Sequence, residues 1–169
     1  TRGLIGFRSE FLTSTSGTGL MYHAFDHYGP KVEAALGRRN NGVLVSMATG
    51  KSLGYSLFNL QERGRLFVSP GAEIYEGMVV GIHARANDLA VNPTKAKQLT
   101  NIRAAGTDEN ILLTPPVETT LEYGLEFIND DELIEVTPRS IRIRKKLLKQ
   151  HERKKAERSL KQISSSLRD

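Results

Sequence analysis

Thr49-Gly50-Lys51-Ser52 is the run that most invites a chemical reading, because it ends as a phosphate-binding P-loop ends. The full motif places glycine where this chain has Val45, and it continues into a helix whose first amides point at the phosphates. Here Ser52 to Leu60 alternates as a half-buried strand does, so Gly50-Lys51 reads as a β-turn. The stretch from Glu118 to Glu135 holds seven carboxylates and no Lys or Arg. Carboxylates so grouped can bind a divalent cation or work as acid and base. Leu121, Leu125 and Ile128 mark a buried helix face, which leaves Glu122 and Glu126 to solvent, while Asp130, Asp131 and Glu132 fill a turn. Lys51 with the acidic stretch 118–135 defines one alternative, a self-contained phosphoryl-transfer or hydrolytic enzyme. Of His23, His27, His83 and His151, only His23 and His27 stand four apart, and they fall in a segment that reads as a strand, where that spacing does not make the helical pair a metal site uses. Asp26 and His27, adjacent in a strand, would point to opposite faces. No catalytic, metal or cofactor-binding residue is assigned.

Positive charge is a better guide. The net charge of +5 is uneven: residues 139–169 hold 12 Lys and Arg against 3 acids, and residues 1–138 hold 12 against 16. A basic tail on an acidic body fits a polyanionic partner, most often nucleic acid. Arg142, Arg144, Lys145 and Lys146 open that tail, and the basic residues beyond them cover nearly every face of a helix, unlike a membrane-surface helix. A second basic segment lies at 85–110, 26 residues with few large apolar side chains. Lys95, Lys97 and Arg103 sit there with Asn101, and no aromatic residue accompanies them. Cationic and amide side chains without stacking aromatics suit contacts to an RNA backbone rather than base readout. Arg38 and Arg39 form a further basic pair.

The elements that would position these groups are legible in outline. Residues 3–15 carry Leu4, Phe7, Phe11 and Leu12 at helical spacing, and 18–28 read as a strand. Residues 30–41 form a linker. Strands are expected over 42–48, 52–60, 65–68 and 74–84, which argues for a small barrel or curled sheet. After the long loop come a strand at 111–114, a helix capped by Thr119 and Glu122, and strands at 133–137 and 140–144 around Pro138. A helical tail covers 145–167. The fold class expected is α+β, mostly β. Four units follow: 1–29, the linker 30–41, a β-rich domain 42–145 and the tail 146–169. Thr1 leads straight into an apolar-periodic segment, as in a piece of a longer protein. No apolar run approaches the roughly 18 to 20 residues of a membrane span. Cysteine is absent, and a cytoplasmic home is the default, with no membrane partner.

The segment TRGLIGFRSEFLTSTSGTGLMYHAFDHY is similar to the last helix and strand of the fifth, ferredoxin-like domain of elongation-factor-G-type GTPases. The runs GRRNNGVLVS, LFNLQERGRLFVSPGAEIYEGMVVG and NPTKAKQLTNIRAAGTDE resemble the C-terminal domain of the BipA/TypA family, and the likeness spans residues 1 to 146. The resemblance implies a translational GTPase of bacteria or organelles that serves large-subunit assembly and stress adaptation. GTP and Mg would belong to a G domain missing from these residues, leaving this fragment without enzymatic activity or cofactor. The partners implied are the 70S ribosome and large subunit, rRNA and A-site tRNA, with the loop at about 92–108 reaching toward the acceptor end. RNA-binding residues are then Lys95, Lys97, Asn101, Arg103, Arg38, Arg39, Arg142, Arg144, Lys145 and Lys146. The apolar face of helix 3–15, without its partners, would favour a non-physiological dimer.

Overall fold

A computed structural model describes residues 7–30, 39–96 and 112–166. In the first segment, α1 (Phe7–Ser14) packs Phe7 beside Phe11 with ring centroids 6.2 Å apart. Residues 18–28 form no strand; Leu20, Tyr22, Phe25 and Tyr28 are exposed, so that segment has no sheet neighbour to pair with among the described residues. Asp26 and His27, free of the alternation a strand would impose, meet at 2.7 Å on the surface.

From Arg39 onward the chain builds one mixed sheet. Its strands are β1 (Val43–Ser46), β3 (Gly64–Leu66), β5 (Met78–His83), β6 (Leu89–Val91), β7 (Glu132–Val136) and β8 (Ile141–Lys145). The order is β6-β1-β5-β8-β7, and β3 shares the second edge of β5 with β8. The β1–β6 pair is parallel and the others antiparallel. Two short strands, β2 (Gly50–Lys51) and β4 (Glu73–Ile74), pair separately. The sheet stays open, so the small barrel expected from the strand spacing is replaced by an open sheet covered on both faces. Leu44, Leu66, Met78 and Val80 face one core, joined by Leu57 of α2 (Gly54–Gln61). Val43, Val45, Val79 and Ile143 face the other, joined by Phe127 of α3 (Leu121–Phe127). All four residues of β1 are buried, as expected for a central strand sandwiched between helices.

Four further local expectations are corrected. The strand expected at 52–60 is α2: adjacent Ser56 and Leu57 are both buried, which a half-exposed strand forbids and a helix allows. Ser56 Oγ donates to Asn92 O at 2.6 Å, so the helix also consumes the polar group that made the run look alternating. Within the segment expected to be a loop from 85, β6 adds to β1 and brings Asn92 and Pro93 beside the start of α2. Residues 112–114 form no strand, and α3 is capped by Thr120, whose hydroxyl accepts from Tyr123 N–H, rather than by Thr119. The hairpin around Pro138 forms as expected, with Glu135 opposite Arg142 and Leu133 opposite Arg144. The basic tail becomes α4 (Gln150–Ser166).

Candidate nucleic-acid interface

Strand alternation splits the basic residues of β8 into two sets. Ile143 and Lys145 face α3, while Arg142 and Arg144 project from the opposite face of the sheet, partly exposed. No carboxylate among the described residues lies within 4.0 Å of either guanidinium. Lys146 follows on the surface, its amide held by Asp131 O at 2.9 Å. The start of α4 is fixed to the β4–β5 turn: Gln150 N–H donates to Glu76 Oε1 at 3.1 Å. Gly77, at φ +87°, lets Leu148 approach so closely that a Cβ there would meet Leu148 Cα at 2.6 Å. Arg153 donates to Leu147 O and Leu148 O, closing that junction. Lys154, Lys155 and Arg158 on α4 remain exposed. The result is a run of cations, Arg142, Arg144, Lys146 and the first two turns of α4, carried on hydrogen-bonded backbone. Such a run can neutralise successive phosphates.

Lys145 and Arg39 have a different fate from the one expected. The Lys145 side chain is 2% exposed and its Nζ lies 2.5 Å from Asp88, 2.6 Å from Asp131 and 2.9 Å from Glu132. Arg39 forks onto Glu132 at 2.8 and 3.0 Å, donates to Asn41 O and Phe127 O, and stacks 4.2 Å over the Phe127 ring. Glu132 itself has no exposed side-chain surface and also accepts from Asn129 N–H. Burial pushes its pKa up, but hydrogen bonds from Arg39 and the charge of Lys145 outweigh this and hold it below the ordinary carboxylate value. Burial likewise pulls the Lys145 pKa down, and hydrogen bonds to Asp131 and Asp88 with the Glu132 charge more than reverse it. These cations are therefore spent inside the domain, and Glu132 belongs to its interior rather than to a solvated turn. Sequence reasoning missed Asp88 and Glu132 because their partners lie far along the chain, with 93 residues separating Arg39 from Glu132.

Lys95 is exposed just past Asn92, whose Oδ1 orders Thr94. Lys97, Asn101, Arg103 and Arg38 lie outside the described residues.

The Lys51 region does not assemble a phosphate cradle, although a helix does follow it. Ser52 is buried, with Oγ donating to Ser69 O at 2.7 Å and its amide to Ala72 O, and the Leu53 amide is taken by Pro93 O. Lys51 lies 3.7 Å from Glu73, its strand partner. The acidic stretch is likewise divided, with Asp131 and Glu132 on Lys145 and Glu135 on Tyr75. No group of three metal-ligating side chains gathers among the described residues, and none of their helices is long and apolar enough to cross a membrane.

Residues 41–150 match the family model of the TypA/BipA C-terminal domain. A Haemophilus influenzae protein named large ribosomal subunit assembly factor BipA is 57% identical over 165 residues, 98% of this chain and 27% of that protein. The Buchnera aphidicola protein of the same name is 58% identical over 163 residues, 96% of this chain and 27% of its own length. That of Escherichia coli K12 is 57% identical over 161 residues, 95% of this chain and 26% of its own. The chain thus spans about a quarter of the length of the curated relatives it matches. A domain match across most of its length, together with relatives sharing more than half its residues, means that the chain belongs to the TypA/BipA family.

Proposed function

We propose that this chain is the RNA-binding C-terminal part of a ribosome-associated translational GTPase that acts in large-subunit assembly, translation and stress adaptation. The observation that carries this is family membership: relatives at 57–58% identity are named large ribosomal subunit assembly factors. The cations of β8 and α4 that are exposed among the described residues give the reading a physical means, since phosphate contacts supply most sequence-independent RNA affinity. Arg142, Arg144 and Lys146, with Lys95, Lys97, Asn101, Arg103 and Arg38, are the contacts proposed. They meet rRNA of the large subunit and the acceptor end of A-site tRNA on the 70S ribosome. GTP hydrolysis, with GTP and Mg as its cofactors, is assigned to a G domain outside these residues. Residues 1–29 close a ferredoxin-like domain, 30–41 link it to the domain at 42–145, and 146–169 form the basic arm. The protein works in the cytosol or an organelle stroma. The apolar side chains around α1 would drive a non-physiological dimer when that domain is incomplete.

Chemical footprinting of large ribosomal subunits with and without the chain tests the proposal. A compact set of protected rRNA nucleotides, lost in an Arg142→Ala/Arg144→Ala/Lys146→Ala variant, is expected. Unchanged reactivity at saturating protein would overturn it. Turnover of GTP or ATP by the isolated chain, reduced in Lys51→Ala, would restore the enzymatic alternative.

A further inference from the structure

Glu135 and Arg142 are direct cross-strand partners in the β7–β8 hairpin, on the face of the sheet that turns away from α3. Opposite charges so placed have Cβ atoms about 4.5 to 5.5 Å apart and ordinarily attract one another. Glu135 instead accepts a short hydrogen bond from the hydroxyl of Tyr75, which lies in the β4–β5 turn, and no ion pair joins it to Arg142 or Arg144. The Tyr75 ring is fixed by packing against the core that α2 covers. Its hydroxyl therefore reaches Glu135 from an anchored position. Burial, then the hydrogen bond and charge of Glu135, hold the phenol well above its ordinary pKa, so it remains a donor throughout the physiological range. Arg144 and Arg142 oppose that shift without reversing it.

We propose that Tyr75 is a positioning residue for RNA binding: by holding the Glu135 carboxylate it keeps that charge off Arg142 and leaves the Arg142/Arg144 pair free for phosphate. This rests on the proposal that β8 contacts RNA. Arg142 and Arg144 stand two residues apart on one strand face, about 6.6 Å along the strand, so both can address one stretch of backbone. Released from Tyr75, the carboxylate would fold onto its cross-strand arginine and cancel one of the two charges. The sequence alone shows seven acids between Glu118 and Glu135 and a basic tail. It does not show that one of those acids is restrained beside the cations.

Binding of the 169-residue chain to a labelled single-stranded oligouridine, followed by fluorescence polarisation across a salt series, tests this. The variants are Tyr75→Phe, Tyr75→Phe/Glu135→Gln and Arg142→Ala/Arg144→Ala, each checked for an unchanged circular dichroism spectrum. Tyr75→Phe keeps the ring and removes only the hydroxyl. It is expected to weaken binding and flatten the log–log salt slope by about 0.7, one phosphate contact on single-stranded nucleic acid. Tyr75→Phe/Glu135→Gln is expected to return to the wild-type slope, because no charge is left to fold onto Arg142. A wild-type slope in Tyr75→Phe overturns the inference, and so does failure of the double variant to recover, which would make the hydroxyl merely structural. A wild-type slope in Arg142→Ala/Arg144→Ala would instead remove the β8 contact on which the inference stands.

Discussion

Glu132 is a carboxylate with no surface in water, and two cations decide its protonation state. Its folded pKa is lowered, so its stabilising contribution is present above the ordinary value of 4.5 and is lost as pH falls through the folded value. Lys145 has the opposite sign: its pKa is raised, so its contribution is present below 10.5 and is lost as pH rises through the folded value. Melting temperature should therefore hold between these limits and fall on the acid side, with a smaller acid-side fall in Glu132→Gln. An identical acid profile in that variant would remove Glu132 from the explanation. Lys145→Met leaves three carboxylates around an apolar side chain and should cost about 3 to 5 kcal/mol in denaturant unfolding. A loss under about 1 kcal/mol would place Lys145 among ordinary surface pairs. At this scale the sequence discloses which residues are charged but not which are buried. Strand alternation separates Arg142 and Arg144 from Lys145 only once β8 is known to run to Lys145, and nothing local marks Arg39, which is enclosed by partners from distant segments.

Elements were legible where period and turn chemistry agree. Pro138 between two β-branched runs marks the β7–β8 hairpin, and its register places Glu135 against Arg142. Leu53, Leu57 and Leu60 stand at i, i+4 and i+7, a helical spacing that the apparent alternation of the run masked, and contacts to Ala72, Pro93 and Asn92 hold the segment in place. The parallel addition of β6 to β1 was hidden for the same reason, because a three-residue strand has too few residues to show a period. Where α2 ends, Gly64 turns the chain into β3 at φ +156°, and a Cβ there would meet Ile82 O at 1.8 Å. Gly64→Ala should destabilise the domain by about 3 kcal/mol or more, from backbone strain and overpacking of roughly 1 to 3 kcal/mol each. Urea unfolding measures this. A change below about 0.5 kcal/mol would mean that β3 can shift away from β5.

For the molecule as a whole, the family match begins at residue 41, two positions after the arginine that forks onto Glu132. A chain starting at residue 39 should accordingly be more stable than one starting at 42, by about 3 kcal/mol, since the shorter one leaves a buried carboxylate short of a partner. Equal stability would show that Lys145 alone suffices. Overall charge distribution was readable from composition, because a basic arm on an acidic body needs no fold to be seen. Which cations remain outside needed the fold. The central claim, that this chain holds large-subunit RNA through exposed cations, is tested most directly by co-sedimentation with large ribosomal subunits across a salt series. Wild type should be compared with an Arg142→Ala/Arg144→Ala/Lys146→Ala variant. We predict that the wild-type chain sediments at low salt and is released steeply as salt rises, and that the variant binds more weakly with a flatter slope. Absence of wild-type binding at low salt, or binding indifferent to salt, would contradict the claim.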